Sequence, residues 1–291
     1  MSQPQAAILA PVFPHGRFLV LGLQPGGDAK RALDRVRELR ATDHSVVGVG
    51  APLVPSSEAI PGLRPFPAIA RTGVAYPSTQ GAFFAFLGGT DPGELLHEAR
   101  TLIATLGDSF RIDEEVQAFQ HASGRDLSGY EDGTENPKGE AAARAAIVAG
   151  RGDGLDGGSF VAAQRWVHNL DGLDRLSEAQ RDQAVGRRRD TNEEMADAPA
   201  SAHVKRAAQE SYDPPAFMVR RSMPYGTVRE HGLFFVAYGC TLDAFERVLR
   251  RMAGMEDGIH DGLSTFTRAV SGGYYFCPPV RGERLDLSVL G

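Results

Sequence analysis

Leu233-Phe234-Phe235-Val236-Ala237-Tyr238 is an apolar run of strand length, and Gly239-Cys240-Thr241 breaks it. From Leu242 to Met252 the pattern turns helical, with Phe245, Val248, Leu249 and Met252 on one face. The same reading recurs about 151 residues earlier. There Ala82-Phe83-Phe84-Ala85-Phe86-Leu87 is the run, Gly88-Gly89-Thr90-Asp91-Pro92 breaks it, and Glu94 to Leu106 is helical. Asp91 suits an N-cap with Pro92 at the first helical position. Two strand–helix units in one chain predict a duplicated fold. A further helix is expected in each half. One runs from Asp28 to Leu39, and the other from Leu173 to Val185, with a capping box at Ser177-Glu178-Ala179-Gln180. Strands are expected at residues 17–23, 45–49, 160–167, 216–221 and 274–277. The order strand, helix, strand, strand, helix, strand predicts an α+β fold with helices on one face of an antiparallel sheet. The boundary is set at residue 140, giving domains 1–140 and 141–291, with the Gly-, Ala- and charge-rich stretch Gly133 to Gly158 as the connection.

Composition narrows the function. The chain has 291 residues, 42% of them apolar and 23% charged, which describes a globular protein and excludes a disordered one. A net charge of −6 argues against a nucleic-acid partner. Two cysteines, Cys240 and Cys277, are too few for a disulfide scaffold, a four-cysteine zinc site or a four-cysteine iron–sulfur cluster. The N-terminus carries no Lys or Arg before Arg17, and no apolar stretch reaches the length of a membrane span. A soluble cytoplasmic protein without a membrane partner is the expectation.

The segment Gly129-Tyr130-Glu131-Asp132-Gly133-Thr134-Glu135-Asn136-Pro137 is loop-like and dense in groups with chemical use. Its core, Gly-x-x-Asp-Gly, says little alone. The chain holds four copies, ending at Asp132, Asp153, Asp257 and Asp261, and Asp-Gly favours turns for local reasons.

The longer string resembles the signature of the dye-decolourising peroxidases, a family of haem proteins. Four further strings carry the resemblance. They are Ser201-Ala202-His203-Val204-Lys205-Arg206, Phe217-Met218-Val219-Arg220-Arg221-Ser222-Met223-Pro224, Gly232 to Tyr238, and Gly272-Gly273-Tyr274-Tyr275-Phe276-Cys277-Pro278-Pro279. Together they cover most of the chain from Gly129 onward, and they are most similar to the compact, non-secreted bacterial members. The resemblance implies two ferredoxin-like α+β domains with haem mainly in the C-terminal one. The haem would be haem b (iron protoporphyrin IX), bound without covalent attachment, and no Cys-x-x-Cys-His is present to attach it.

By resemblance, His203 among the eight histidines is the axial iron ligand, the only metal-ligating residue expected. A neutral imidazole suits haem iron, and its second N–H usually meets a carboxylate. Asp257 and Asp261 are both candidates for that partner. Asp132 and Arg220 would form the distal side. A carboxylate can move a proton between the two peroxide oxygens, and a guanidinium can stabilise charge on the leaving oxygen. On a strand, Arg220 and Arg221 face opposite ways, so Ser222 would share the Arg220 face and could touch a distal water or peroxide. Arg187 is a candidate for a haem propionate, and Phe235 and Phe266 for porphyrin contact. Trp166, Tyr274 and Tyr275 are oxidisable, but packing accounts for them and no relay is assigned.

The resemblance implies a haem peroxidase. It would reduce hydrogen peroxide through a ferryl porphyrin-radical intermediate and oxidise organic reductants such as dyes. The alternative is a haem-handling protein for storage, delivery or iron release. A chlorite-degrading relative and a ferredoxin-like protein without haem are weaker readings. A homo-oligomer is expected by resemblance. The chain stops at Leu287-Ser288-Val289-Leu290-Gly291, which predicts that it is not nanocompartment cargo.

Overall fold

The computed structural model describes residues 2–291. The first half runs β1 (His15–Leu23), α1 (Ala29–Arg37), β2 (Ser45–Gly50), a small hairpin of β3 (Ile69–Arg71) and β4 (Val74–Tyr76), then β5 (Phe83–Gly89), α2 (Pro92–Leu106) and β6 (Phe110–Phe119). After α3 (Gly139–Ala146) come β7 (Ser159–His168), α4 (Leu170–Asp174), α5 (Glu178–Val185) and α6 (His203–Arg206). The second half continues with β8 (Val219–Arg220), β9 (Met223–Gly226), β10 (His231–Gly239), α7 (Asp243–Met252), β11 (Thr267–Ala269) and β12 (Gly273–Cys277). All pairings among the strands of the main sheet are antiparallel.

The duplication is visible in strand order. The first half orders its strands β2-β5-β1-β6 and the second β12-β7-β10-β9. Each is a four-stranded ferredoxin-like sheet in which the first strand lies between the third and the last. The α+β class expected from the sequence is the one observed.

The two sheets are not separate. β2 pairs with β12 through Val49↔Phe276 and Gly50↔Tyr275, and β6 meets β9 at Ala118↔Tyr225. With β7 also paired to β10, eight strands close into a ring, in which β9 and β12 of one sheet pair with β6 and β2 of the other. One parity of each strand packs into an inner cluster that includes Phe18, Phe84, Phe234, Val236, Tyr238 and Tyr275. The other parity, with Leu19, Phe83, Ala162 and Tyr274, packs against helices α1, α2 and α7. This explains why the two deciding runs are apolar throughout rather than alternating: both faces of β5 and β10 are covered.

Local signals hold where they were strong. Asp91 accepts from Gly93 N and Glu94 N at 2.7 and 2.9 Å, and Ser177 and Gln180 form the reciprocal capping box. Two readings are corrected. The helix expected over 173–185 is two, α4 and α5, broken before the Ser177 cap. The strand expected over 216–221 is only β8, continued in register by β9 along β10. The stretch 133–158 contains α3, whose Ala142 and Ala146 pack onto the inner cluster. β6 had no sequence signal, because Arg111, Asp113 and Glu115 face solvent and only Phe110, Val116 and Ala118 are buried. Among the described residues no helix is long and apolar enough to cross a membrane.

Phe18 of β1 and Phe234 of β10 stack at 4.2 Å between ring centroids inside the ring, joining the two halves. Phe18 is 1% exposed. Phe18→Ala should cost about 3–5 kcal/mol in denaturant unfolding, through lost burial and the cavity left behind.

Candidate active site

A cavity of about 990 Å3, counted to its open mouth, lies on the outer face of the second sheet. β7 contributes Gln164, Trp166 and His168, alternate residues that share one face of the strand. β10 contributes Leu233 and Phe235, and β8 contributes Arg220. The helical side supplies His203 from α6, then Phe245, Val248, Leu249 and Met252 from α7, with Phe266 after a short 3-10 helix. The loop that follows β6 adds residues from Asp126 to Asp132. The lining is mainly apolar, with a few polar groups.

His203 is the first residue of α6, and its Nδ1 lies 2.8 Å from Oδ2 of Asp261. Asp261 is 1% exposed, and its other oxygen accepts the Leu263 N–H at 2.9 Å, capping the 3-10 helix. Gly262 N bonds to Ser201 O at 2.7 Å, tying the two segments together. A buried carboxylate facing Nδ1 favours the proton there, which leaves Nε2 as the basic nitrogen of a cavity-lining ring. Asp257 does not compete for His203. It is held by Arg206 through two bonds of 2.7 and 2.9 Å, and the hydrogen bond from that guanidinium lowers its carboxyl to about 2.

Asp132 and Arg220 both line the cavity. They come from different parts of the chain, and Asn136, four residues after Asp132, bonds to the Arg220 backbone. Its side-chain Oδ1 accepts from Arg220 N and its Nδ2 donates to Arg220 O, both at 2.9 Å. Gly133, between Asp132 and Asn136, has φ +73°, a conformation that glycine adopts without a Cβ penalty. Arg220 Nε is buried with no hydrogen-bond partner among the described residues. Tyr130 anchors the same loop by donating to the buried Asp182 at 2.6 Å.

Phe235 and Phe266, expected to touch a porphyrin, line the cavity. Arg187 and Ser222 are not among the lining residues. The Arg187 guanidinium bonds Glu135 at 2.6 Å, Glu194 at 3.1 Å and Asn192 O at 2.9 Å, so it ties its own loop to the Asp132 loop. Ser222 shares the Arg220 face by alternation but is buried, with its hydroxyl 3.5 Å from Val236 N.

The sequence reading missed a second histidine–carboxylate pair on the lining. His168 Nε2 lies 2.9 Å from Asp126 Oδ1, and its Nδ1 lies 2.7 Å from Thr267 Oγ1. Asp126 also accepts from Ser128 N and Oγ. Burial pushes the Asp126 carboxyl up, but the bonds from His168 and Ser128 outweigh it and hold the carboxyl below its ordinary value. Alternation along β7 could have flagged His168, which shares its face with Gln164 and Trp166. No local pattern pointed to Asp126.

A carboxyl lowered by folding stabilises the native state above its unfolded pKa, and that contribution disappears as pH falls through the folded value. Asp126→Asn should therefore destabilise by about 1–3 kcal/mol at neutral pH. The deficit against wild type should shrink as pH falls below the ordinary aspartate value of about 4, read from urea midpoints across pH.

The chain is similar to known proteins along most of its length. A family model described as Dyp-type peroxidase, C-terminal, matches residues 123–282, a span that includes all the lining residues. A dye-decolorizing peroxidase of Mycobacterium tuberculosis (strain H37Rv) is 30% identical over 293 aligned residues, covering 94% of this chain and 88% of the relative. A dye-decolorizing protein from V. cholerae superposes with a TM-score of 0.84 at 32% identity, covering 94% of this chain and 96% of that one. A variant of DypB from Rhodococcus jostii RHA1, solved in complex with heme, superposes with a TM-score of 0.86 at 28% identity, covering 94% of this chain and 96% of that one. With a family model matching more than half of its length and a relative of this identity matched nearly end to end, the chain belongs to the dye-decolourising peroxidase family.

Proposed function

We propose that this protein is a haem peroxidase that reduces hydrogen peroxide at the expense of organic reductants, dyes among them. The observation that carries the reading is the content of one cavity. It holds a histidine backed by a buried carboxylate, and also a carboxylate and an arginine whose Nε has no partner.

The residues present fit haem b held without covalent attachment. The lining is broad and apolar, as a porphyrin face requires, with Phe235 and Phe266 suited to ring contact. Gln164 Nε2, Trp166 Nε1 and Arg220 Nε are buried on this lining without partners among the described residues, a pattern that suits a polar guest. His203 would hold the iron through Nε2, and Asp261 would keep that nitrogen deprotonated and the ring oriented. When bound, haem supplies the redox-active iron through which peroxide and reductant exchange electrons.

The chain's own task is to move protons and stabilise charge. Reduction of one hydrogen peroxide to two waters takes up two electrons and two protons. Asp132 would take the proton from the oxygen nearer the iron and return it to the leaving oxygen. Arg220, a permanent cation, would stabilise the negative charge that develops on the leaving oxygen. Ser222, buried off the lining, takes no direct part in this reading. Arg187, bonded to Glu135 and Glu194, is better suited to holding the Asp132 loop than to a propionate. The reading divides the chain near residue 140, with haem mainly in residues 141–291. It includes a cytoplasmic homo-oligomer, on the resemblance to compact bacterial members of the family.

The test is an absorption spectrum of haem-reconstituted protein before and after one equivalent of hydrogen peroxide. Wild type should react and return to its starting spectrum when a reducing dye is added. Asp132→Ala and Arg220→Ala should each bind haem and react about a hundredfold or more slowly. His203→Ala should lose the histidine-ligated spectrum. Haem bound but indifferent to peroxide would instead indicate a haem-handling protein, and no binding would sink both.

A further inference from the structure

We infer that Asn136 is a positioning residue for the distal pair, setting Asp132 and Arg220 in register by clamping the peptide of one to the loop of the other. The inference rests on the proposed roles of Asp132 and Arg220. β8 is the end strand of the sheet order and, among the described residues, pairs only with β10. Arg221 N bonds to Val236 O on β10, so by alternation the N–H and C=O of Arg220 point the other way, to the open edge. An open edge normally needs a neighbouring strand. Here one carboxamide takes that place, matching donor to acceptor and acceptor to donor.

The clamp is built to hold one geometry. Asn136 N bonds to Gly133 O at 3.0 Å, closing a tight turn directly after Asp132. A Cβ at Gly133 would lie 2.8 Å from Asn136 Nδ2, so this glycine leaves room for the amide as well as supplying its positive φ. On its other side Arg220 O also accepts from Arg221 Nη1 at 3.0 Å. Arg221 in turn is held by Ala10 O and Leu9 O at 2.7 and 3.2 Å. The Arg220 backbone is therefore fixed by Asn136 at the open edge and by the Arg221 side chain, and Asp132 is four residues from Asn136. Proton transfer and charge stabilisation need both groups placed to within a fraction of an ångström. A carboxamide is the side chain that can satisfy an N–H and a C=O of one residue together. Aspartate at neutral pH and alanine cannot.

The experiment compares wild type, Asn136→Ala, Asn136→Asp, Asp132→Ala and the Asn136→Ala/Asp132→Ala double variant, as full chains. Hydrogen exchange at the Arg220 amide reads the clamp directly, without haem. Haem affinity, the rate with hydrogen peroxide and the rate of cyanide binding are then measured on reconstituted protein. Cyanide arrives as HCN and needs the same proton acceptor without turnover. For Asn136→Ala we expect loss of Arg220 amide protection and unchanged haem affinity. Its peroxide and cyanide rates should fall by about ten- to a hundredfold. In the Asp132→Ala background the same substitution should add little. Asn136→Asp sets a carboxylate oxygen against Arg220 O, and protonation restores the donor. Its rate relative to wild type should recover as pH falls through the carboxyl range.

Rates equal to wild type in Asn136→Ala, or a loss that adds in full to that of Asp132→Ala, would overturn the inference. If Asn136→Ala does not fold, Asn136→Asp decides, and absence of acid recovery overturns it. If Asp132→Ala reacts as fast as wild type, the reading of Asp132 fails and the positioning role falls with it. Exchange at Arg220 would still report the clamp itself, so the two failures are distinguishable.

Discussion

Closure of eight antiparallel strands into one ring is the constraint on which the rest of this molecule depends. A ring of this size fills its interior with side chains and leaves no lumen for a large ligand. The interior is accordingly an aromatic and aliphatic core in which Phe18 and Phe84 from one half meet Phe234 and Tyr275 from the other. The few charges at its margins are satisfied locally. Glu114 takes a bond from Arg165 and another from Ser271, and Arg221 donates to three backbone carbonyls without a carboxylate. Burial lowers the Arg221 pKa, although arginine remains a cation at any ordinary pH.

Because the inside is full, ligand space must lie outside the ring, between a sheet face and its helices. In the first half α1 and α2 cover that face with Leu33, Val36, Leu95 and Ala99. In the second half the covering helices stand back, and the cavity opens between β7, β10 and the α6–α7 side. Duplication of the fold therefore does not duplicate the site. The difference lies in the long segment from α4 to β8, which delivers His203 and has no counterpart of similar length in the first half.

The polar groups on this lining are organised in pairs. His203 with Asp261 and His168 with Asp126 each combine an imidazole and a nearly buried carboxylate at hydrogen-bond distance. The two aspartates differ in their remaining bonds: Asp261 caps a 3-10 helix, while Asp126 is chelated by Ser128. Gln164 Nε2, Trp166 Nε1 and Arg220 Nε are the exceptions on this lining, since they meet no acceptor among the described residues. The strain of leaving such a donor buried is tolerated where a ligand can satisfy it.

Much of the fold was legible in local chemistry. Runs such as Leu233 to Tyr238, the Asp91 and Ser177 caps and the helical faces of α2 and α7 are set by periods of two and of 3.6 residues, which any short window contains. The resemblance carried by Gly129–Pro137, Ser201–Arg206 and Phe217–Pro224 brought His203, Asp132 and Arg220 to attention, and the cavity contains all three. Ring closure, the choice of Asp261 over Asp257, the Asp126–His168 pair and the Asn136 clamp were not legible. Each joins residues between 42 and 84 positions apart, or whole sheets, through contacts that leave no periodic trace. Periodicity reports which face of an element is buried. What lies against that face is decided only when the chain folds back on itself.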